Sequence, residues 1–188
     1  MDDRDIRWRA VELAYRAHAD DVYRVALAIL RDPDAAVDVT HDTFARAFDR
    51  WEQYDSARPL RAWLHGIVSH AALDALRRRR VRAHALQAVG RVHEAEVAGQ
   101  LEGDPARHVA EGDAIETALA DLKPDARAAL VLRHYYGYDY AEIARFLRTS
   151  PGNVGSILSR SHATLRARLA TDPTRPPTDL TVPRRATR

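Results

Sequence analysis

The stretch YAEIARFLRTSPGNVGSILSRSHATLRARL, residues 140–169, predicts two helices joined by a tight turn. Ser150 is a favourable N-cap for the second helix, and Pro151 suits its first position, where a missing N–H costs nothing. Apolar residues recur at helical spacing along one face of this helix, from Val154 to Leu169. The remaining surface is small, polar and modestly basic, which is typical of a helix that enters a DNA major groove, or of a solvated helical hairpin. If the helix binds DNA, its candidate contacts are Ser150, Gly152, Asn153, Gly155, Ser156, Ser159 and Arg160.

Composition favours an all-α fold, because Ala, Leu and Arg dominate while runs of β-branched residues are scarce. At 188 residues, 46% of them hydrophobic, the chain can bury one core or two small ones. The absence of cysteine excludes disulfides and thiolate metal sites. The charged N-terminus lacks the apolar core of a secretory signal, and no stretch approaches the length of a membrane span. We therefore expect a soluble, cytoplasmic protein.

Charge is distributed in blocks, although the net charge is only +2. Residues 1–60 carry nine basic and thirteen acidic side chains, and residues 61–91 carry seven and one. Residues 92–121 carry one basic and eight acidic side chains, and residues 122–188 carry twelve and five. Two basic blocks separated by an acidic segment indicate two sites for a polyanion, joined by a connection that avoids it. Solvated arginine-rich helices would account for part of each excess.

The first third of the chain predicts two helices, Leu13 to Leu30 and Asp34 to about Trp51. Pro33 separates them, because proline interrupts a helix interior. Each helix has an apolar face at helical spacing, which includes Leu13 in the first and Val37 in the second. We expect both faces to be buried in a core.

The second of these helices also carries Asp38, His41 and Asp42 on one side, at positions i, i+3 and i+4. This spacing would suit half of a metal site or an acid–base pair. No second group of ligands is evident in the sequence, so an exposed acidic face that docks on a basic protein surface is favoured. We expect no metal site.

A third helix is predicted from Leu60 to about Arg82, with a basic run at residues 77–80. A run of cations suits a helix C-terminus and also suits DNA phosphates. Trp63 and His70 lie near the polar loop at residues 54–59 and could stack on an unpaired base, as in proteins that bind single strands. Burial in the core is the alternative for Trp63.

The rest of the chain predicts a linker, a second helical unit and a tail. Further helices are expected from Asp113 to Leu122 and from Asp125 to Tyr136, with Gly137 ending the latter. The acidic linker, rich in Ala, Glu and Gly, and the proline-rich tail lack helical periodicity. The sequence thus predicts two small helical domains, at residues 8–82 and 112–170, a linker at 83–111, and a disordered tail at 171–188, with a helix-turn-helix ending the second domain.

Three segments resemble the bacterial sigma factors of the extracytoplasmic-function group, which retain only the second and fourth conserved regions. DPDAAVDVTHDTFARAF, residues 32–48, is similar to the helix of that family that binds core polymerase. RAWLHGIVSHAALDALRRRR, residues 61–80, is similar to its promoter-reading helix. LADLKPDARAALVLRHYYGYDYAEIARFLRTSPGNVGSILSRSHATLR, residues 119–166, is similar to the fourth region. The segments occur in the family's order, which makes the resemblance specific.

The resemblance implies a promoter-specificity subunit that binds promoter DNA and RNA polymerase core, at the coiled coil of the largest subunit and at the flap. It implies no catalysis and no cofactor, and an anti-sigma partner is common in the family. The matching positions assign core binding to Asp38, His41, Asp42 and Phe44. They assign recognition of the minus-ten element to Trp63, Ser69, His70, Asp74, Arg77 and Arg78, and the helix-turn-helix would read the minus-thirty-five element.

Several residues depart from the family pattern. Ser69 and His70 replace the usual Arg-Asn pair, and His41 replaces a Gln. Gly155 and Ile157 stand where Lys and Arg are usual, so fewer phosphate contacts are expected there. Ile157 could contact a thymine methyl or join the core.

Two other classes of function remain compatible with the sequence. A helix-turn-helix regulator would bind duplex DNA as a homodimer, without core polymerase. A metal-dependent enzyme would use Asp38, His41 and Asp42 as ligands.

Overall fold

The protein is described by a computed structural model over residues 2–89, 119 and 122–170. Within these ranges the secondary structure is helical and contains no strand, which confirms the all-α prediction. The linker was predicted at residues 83–111, but residues 83–89 continue α3. The rest of the predicted linker, most of the predicted helix from Asp113 to Leu122 and the tail lie outside the described residues. The elements are α1 (Asp3–Leu30), α2 (Pro33–Asp49), a 3₁₀ turn (Trp51–Gln53), α3 (Leu60–Val89), α4 (Pro124–Leu130), a π-helical turn (Val131–Tyr135), α5 (Tyr140–Leu147) and α6 (Pro151–Ala170).

Two helices of the first half, α1 and α3, are longer than the sequence predicted. Helix α1 begins ten residues earlier, where Asp2 and Asp5 form a capping box. The predicted burial of Leu13 and Val37 is wrong, because these side chains are 67% and 43% exposed. Leu13 precedes the buried Ala14 by one position, which places it about 100° away around the helix.

Helices α1, α2 and α3 pack around a shared apolar core whose central side chains, Ile29, Leu64 and Val68, are inaccessible to solvent. The connection between α1 and α2 is short because Arg31 adopts a left-handed conformation with φ 54°. Asp32 then caps α2 by accepting a hydrogen bond from the backbone N–H of Ala35 at 3.1 Å. This half therefore holds the acidic face of α2 and the basic run of α3, residues 77–80, on one rigid frame. The prediction that this run ends the helix is wrong, because α3 continues to Val89.

The second half is formed by α4, the π-helical turn, α5 and α6 around a core that includes Leu132, Ile143 and Leu158. Gly137 has φ +76°, a conformation that favours glycine, and it ends the π-helical turn as predicted. Ile157 is only 7% exposed, so it joins the core and does not face a DNA groove.

The two halves pack against each other, with α4 on α1 and α5 on α3. His65 of α3 lies in this contact and is fully buried. Its Nδ1 atom lies 3.1 Å from the hydroxyl oxygen of Tyr138, and the ring of Tyr136 packs edge-on against it with centroids 4.3 Å apart. Burial lowers the pKa of His65 to about 4, an effect that Asp21 opposes and Arg61 reinforces.

The buried histidine should make the fold less stable in mild acid. In the unfolded chain the pKa of His65 returns to its ordinary 6.5, so between pH 6.5 and about 4 only the unfolded state takes up the proton. The contribution of neutral His65 to the free energy of unfolding is therefore present in full above pH 6.5. This contribution is lost as the pH falls, by about 2–3 kcal/mol between pH 7.5 and 4.5. Urea unfolding at the two pH values measures this loss.

The matched variant for this measurement is His65→Asn, which keeps a polar atom near Tyr138 but does not titrate in this range. His70 and His134, whose pKa values are also lowered chiefly by burial, remain in both proteins and act in the same direction. In the variant, most of the predicted loss of unfolding free energy between the two pH values should be absent. Equal losses in both proteins would rule out His65 as the cause.

Candidate nucleic-acid interface

Helix α5, which leads into the turn before α6, is closed by hydrogen bonds at both of its ends. Asp139 and Glu142 form a reciprocal capping box at the start of α5. At its end, Arg148 adopts a left-handed conformation with φ 52°, and the N–H of Thr149 donates to the carbonyl of Ala144 at 2.9 Å. The turn therefore fixes the direction in which α6 leaves α5.

Helix α6 begins as the sequence predicted, with Ser150 as its cap and Pro151 at its first position. The Oγ of Ser150 accepts from the N–H of Asn153 at 3.2 Å. The Asn153 side-chain amide in turn donates to the Oγ1 of Thr149 at 2.8 Å. The first turn of α6 is thus ordered without a ligand.

The outward face of α6 is polar and exposed, and it includes most of the predicted contacts. Ser156 donates through Oγ to the carbonyl of Gly152 at 3.1 Å, and Arg160 donates through Nε to the carbonyl of Ser156 at 3.2 Å. These bonds to the helix's own backbone hold the side chains against α6, and a base edge could replace either acceptor. The exposed predicted residues are Ser150, Gly152, Asn153, Ser156, Ser159 and Arg160.

Gly155 differs from these residues, because it is half-buried beside the ring of Tyr140. A Cβ added at this position would lie 3.5 Å from Cε2 of that ring, an ordinary van der Waals distance. The position therefore accepts a larger side chain that extends outward along α6.

Restoring a cation with Gly155→Lys is expected to add one phosphate contact and tighten DNA binding. The slope of log affinity against log salt should steepen by about 0.9, because one more counterion is displaced from the duplex. Gly155→Ala is the matched control, since it raises helix propensity by about 1 kcal/mol without adding charge. Binding of the full chain with core polymerase to promoter DNA, titrated from low to high salt, measures both slopes. If the alanine and lysine variants have the same slope, position 155 does not face the backbone.

The basic run of α3, residues 77–80, is only partly available for DNA. Arg77 pairs with Asp74 at 3.2 Å, one turn earlier on the same helix. Arg79 pairs with Asp32 at 3.1 Å and so ties α3 to the start of α2. Arg78 and Arg80 are exposed. Asp74 therefore positions Arg77, while Arg79 has a structural role.

A cleft of about 560 Å³ lies beside this helix, and its lining includes the aromatic rings of Tyr54, Trp63 and Phe146. Trp63 is half-buried in the wall, with its ring centroid 5.2 Å from that of Tyr54 and 6.0 Å from that of Trp51. His70 also lines the cleft, and burial lowers its pKa, so the ring is neutral at pH 7. Its Nε2 is buried without a hydrogen-bond partner. A planar ring with an N–H donor would match these walls.

Two predicted contact residues are buried in this structure. Ser69 has no exposed surface and Phe44 has 5%. Phe44 packs edge-on against the ring of Tyr15, with centroids 4.8 Å apart, and so holds α2 on α1. Direct contact of either side chain with DNA or with core polymerase would require these neighbours to move, so both assignments stay predictions.

The acidic face of α2 is exposed at Asp38 and His41. Asp42 forms an ion pair with Arg46 at 2.8 Å, and His41 stacks on the ring of Tyr15 with centroids 6.3 Å apart. In the part of the chain that the structure describes, no group of three or more His, Asp or Glu side chains is arranged to hold a metal ion.

Several residues around the cleft and in the contact between the halves were not singled out in the sequence. Glu142, Arg145 and Phe146 of α5 form the far wall of the cleft. Arg127 and His65 join the two halves across long sequence separations. Local periodicity carries no signal for them, because their roles depend on how the halves pack.

Comparison with protein families identifies both halves. The model of sigma-70 region 2 matches residues 14–96, and that of sigma-70 region 4 matches residues 112–165, together well over half of the chain. The ECF RNA polymerase sigma factor SigC of Mycobacterium tuberculosis is 31% identical over 160 residues, which cover 85% of this chain and 83% of that protein. The chain belongs to the ECF sigma factors.

Other relatives agree. SigE of Mycolicibacterium smegmatis is 34% identical over 157 residues, which cover 82% of this ECF sigma factor and 60% of that relative. RpoE of Bartonella quintana, solved in complex with the anti-sigma factor NepR, has the same fold, with a TM-score of 0.64 and 22% identity over 86% of this chain and 97% of its own. CnrH, solved with the cytosolic domain of CnrY, gives a TM-score of 0.58 and 25% identity over 88% and 90%.

These findings confirm the predicted resemblance and the function that follows from it. An ECF sigma factor is a promoter-specificity subunit of RNA polymerase, so the helix-turn-helix and the basic run of α3 belong to a transcription initiation factor. None of the helices described in this sigma factor is long and apolar enough to span a bilayer.

Proposed function

We propose that this sigma factor directs RNA polymerase to promoters by holding the minus-ten element with its first half and the minus-thirty-five element with its second. It performs no chemistry itself, and nucleotide addition is left to the polymerase. One observation carries the proposal. The first half has an aromatic cleft beside the basic run of α3, and the second half has an exposed polar recognition helix. The cytoplasm is the proposed location, because that is where polymerase and promoter meet.

Contact with core polymerase is assigned to the acidic face of α2. Asp38 and His41 are exposed, and Asp42 shares its charge with Arg46. Such a face suits the basic side of the coiled coil in the largest subunit, where complementary charge speeds association and fixes register. The α2 helix is held rigidly by α1 and α3, so the face needs little rearrangement to dock.

Recognition of the minus-ten element is assigned to the cleft beside α3. An unstacked base would lie against Trp63 and Tyr54, with the ring of His70 beside them in the same cleft. The exposed Arg77, Arg78 and Arg80 would hold adjacent phosphates. These residues supply stacking, base reading and charge within one surface.

The minus-thirty-five element is assigned to α6 in the major groove. The N–H of Gly152 would donate to a phosphate, and Asn153, Ser156 and Arg160 are placed for base edges. Few cations lie on this face, so α6 binds weakly alone and depends on polymerase to bring it to the promoter. An anti-sigma partner is proposed for the chain, because RpoE of Bartonella quintana was solved in complex with the anti-sigma factor NepR.

Transcription from a promoter library tests the proposal. The purified chain is mixed with core polymerase and a library of templates, and the run-off transcripts are sequenced. We expect transcripts that share one pair of promoter elements and that vanish without the chain. If the chain binds duplex DNA alone as a homodimer while no template yields a specific transcript, the regulator without polymerase is the better description.

A further inference from the structure

Two histidines meet on the exposed surface of the second half. The Nε2 atom of His134, in the π-helical turn, lies 2.9 Å from the Nε2 atom of His162, in α6. Their ring centroids are 5.0 Å apart, and the ring planes are inclined by 60°. Imidazole nitrogens are the commonest protein ligands for metal ions. Because both side chains are exposed, the pair presents two such atoms to solvent at one point.

The π-helical turn holds the backbone of His134 from both sides. The preceding residue, Arg133, donates to the carbonyl of Tyr138 at 2.9 Å. Two residues after His134, the hydroxyl of Tyr136 donates to the carbonyl of Asp21 at 3.1 Å. Turns of this kind are uncommon and are frequent at functional sites. The position of His134 is therefore set before any ligand binds.

Neighbours on α6 fix His162 in the same way. Ser161 is buried and donates through Oγ to the carbonyl of Ile157 at 2.8 Å. Leu158, one turn before His162, is buried in the core of the second half. The two ring nitrogens thus meet between two separately held elements. A site built on such elements needs little reorganisation to bind an ion.

The separation of the two nitrogens matches one coordination geometry better than another. A divalent ion such as Zn²⁺ lies about 2.0–2.1 Å from an imidazole nitrogen, so two ligands at 90° are about 2.9 Å apart and two tetrahedral ligands about 3.3–3.4 Å. Right-angled positions occur in tetragonal sites, which are typical of Cu²⁺ and Ni²⁺. The ion would lie to one side of the line between the nitrogens, and each exposed ring would tilt toward it.

A hydrogen bond is the alternative role of the pair. One neutral ring can donate its Nε2 proton to the other, because neutral imidazole offers one donor and one acceptor. Burial, followed by the charges of His162 and Arg133, lowers the pKa of His134, so its ring is neutral at pH 7. A neutral ring is also the form that binds a metal ion, with its proton on Nδ1 and Nε2 free. The two roles therefore need an experiment that removes a ligand and keeps the hydrogen bond.

We propose that His134 and His162 form a site for a divalent transition-metal ion of the Cu²⁺ and Ni²⁺ class, with water in the remaining positions. Imidazole suits these ions, and affinity at a given nitrogen site rises from Ni²⁺ to Cu²⁺. Two protein ligands leave the ion exchangeable, unlike the closed set of four in a structural site. The bound ion would join the π-helical turn to α6 and so stabilise the second half.

Metal titration of the full chain, purified without a histidine tag, tests the site. The variants are His134→Gln and His162→Gln, which can keep a hydrogen bond across the pair but lose one ligand each. The matched control is His18→Gln, on α1. One equivalent of Cu²⁺ should give an electron paramagnetic resonance spectrum with two equatorial nitrogens in the unsubstituted chain and in the control. Both variants should lose that signature, and Mg²⁺, which prefers oxygen ligands, should not compete.

Urea unfolding with Ni²⁺ gives a second readout. An ion that binds only the folded chain raises the ratio of folded to unfolded molecules about a hundredfold at about a hundred times its dissociation constant. The control should show this rise in full and the two variants should lose it. Both substituted positions are exposed, so each variant should fold. The site is overturned if either variant keeps the two-nitrogen spectrum or the full response to Ni²⁺, or if the unsubstituted chain shows neither.

Discussion

Reversing two charges on α2, with Asp38→Arg and Asp42→Arg together, is expected to weaken binding to core polymerase by about a hundredfold or more. Both side chains lie on the exposed side of α2, so the substitution leaves the core intact. It places two cations opposite a basic surface, where like charges cost several kcal/mol. The new residue at position 42 also meets Arg46 one turn away, a repulsion of only a few tenths of a kcal/mol.

The measurement is the affinity of the labelled chain for core polymerase, with helical content recorded for each variant. The matched control reverses Glu12 and Asp20, which are exposed, lie on α1 and change net charge by the same amount. We expect the control to bind within a few-fold of the unsubstituted protein. Equal losses in the two variants would indicate long-range attraction, and unchanged binding would remove α2 from the interface.

The second large effect is expected at the basic run of α3, when Arg77, Arg78 and Arg80 are replaced by Gln. Three phosphate contacts would be lost, which lowers the salt slope of promoter binding by about 2–3 and the affinity by roughly a hundredfold at physiological salt. Arg79 is kept, because its ion pair with Asp32 supports the cap of α2. The substituted side chains are exposed on α3, so folding should be little affected.

Promoter binding by the assembled polymerase, measured at several salt concentrations, gives both numbers. Replacement of Arg4, Arg9 and Arg16 on α1 by Gln makes the same change in net charge away from the cleft. The control should leave the salt slope unchanged. If both triple variants lose the same slope, the arginines of α3 act through net charge and not through local contacts with phosphates.

The sequence was sufficient where structure is decided by neighbours in the chain. Ser150 and Pro151 set the start of α6 through bonds and conformations that span a few residues, and both were predicted correctly. The fold class and the family followed from periodicity and from the order of the motifs. Boundaries were less certain, because α1 gains its first ten residues from a cap that precedes the apolar pattern.

Predictions were weaker where packing decides. Leu13 fits an apolar pattern in a long helix, but the face that α2 and α3 cover passes through its neighbour Ala14. Ile157 could not be placed until the rotation of α6 about its axis was known. The partners of Arg127 lie 98 and 99 residues away, and that of His65 lies 73 residues away. No local pattern in a single sequence records such pairs.

The π-helical turn at Val131–Tyr135 makes the count of residues in this segment matter as much as their identity. A π turn holds one residue more than the α turn it replaces, so a single deletion there would restore a regular α-helix. Everything that follows would then rotate by about 100°. Tyr136 and Tyr138 would point away from Asp21 and His65 with every side chain still present. Related chains that keep this contact should therefore tolerate substitutions in the segment far better than insertions or deletions.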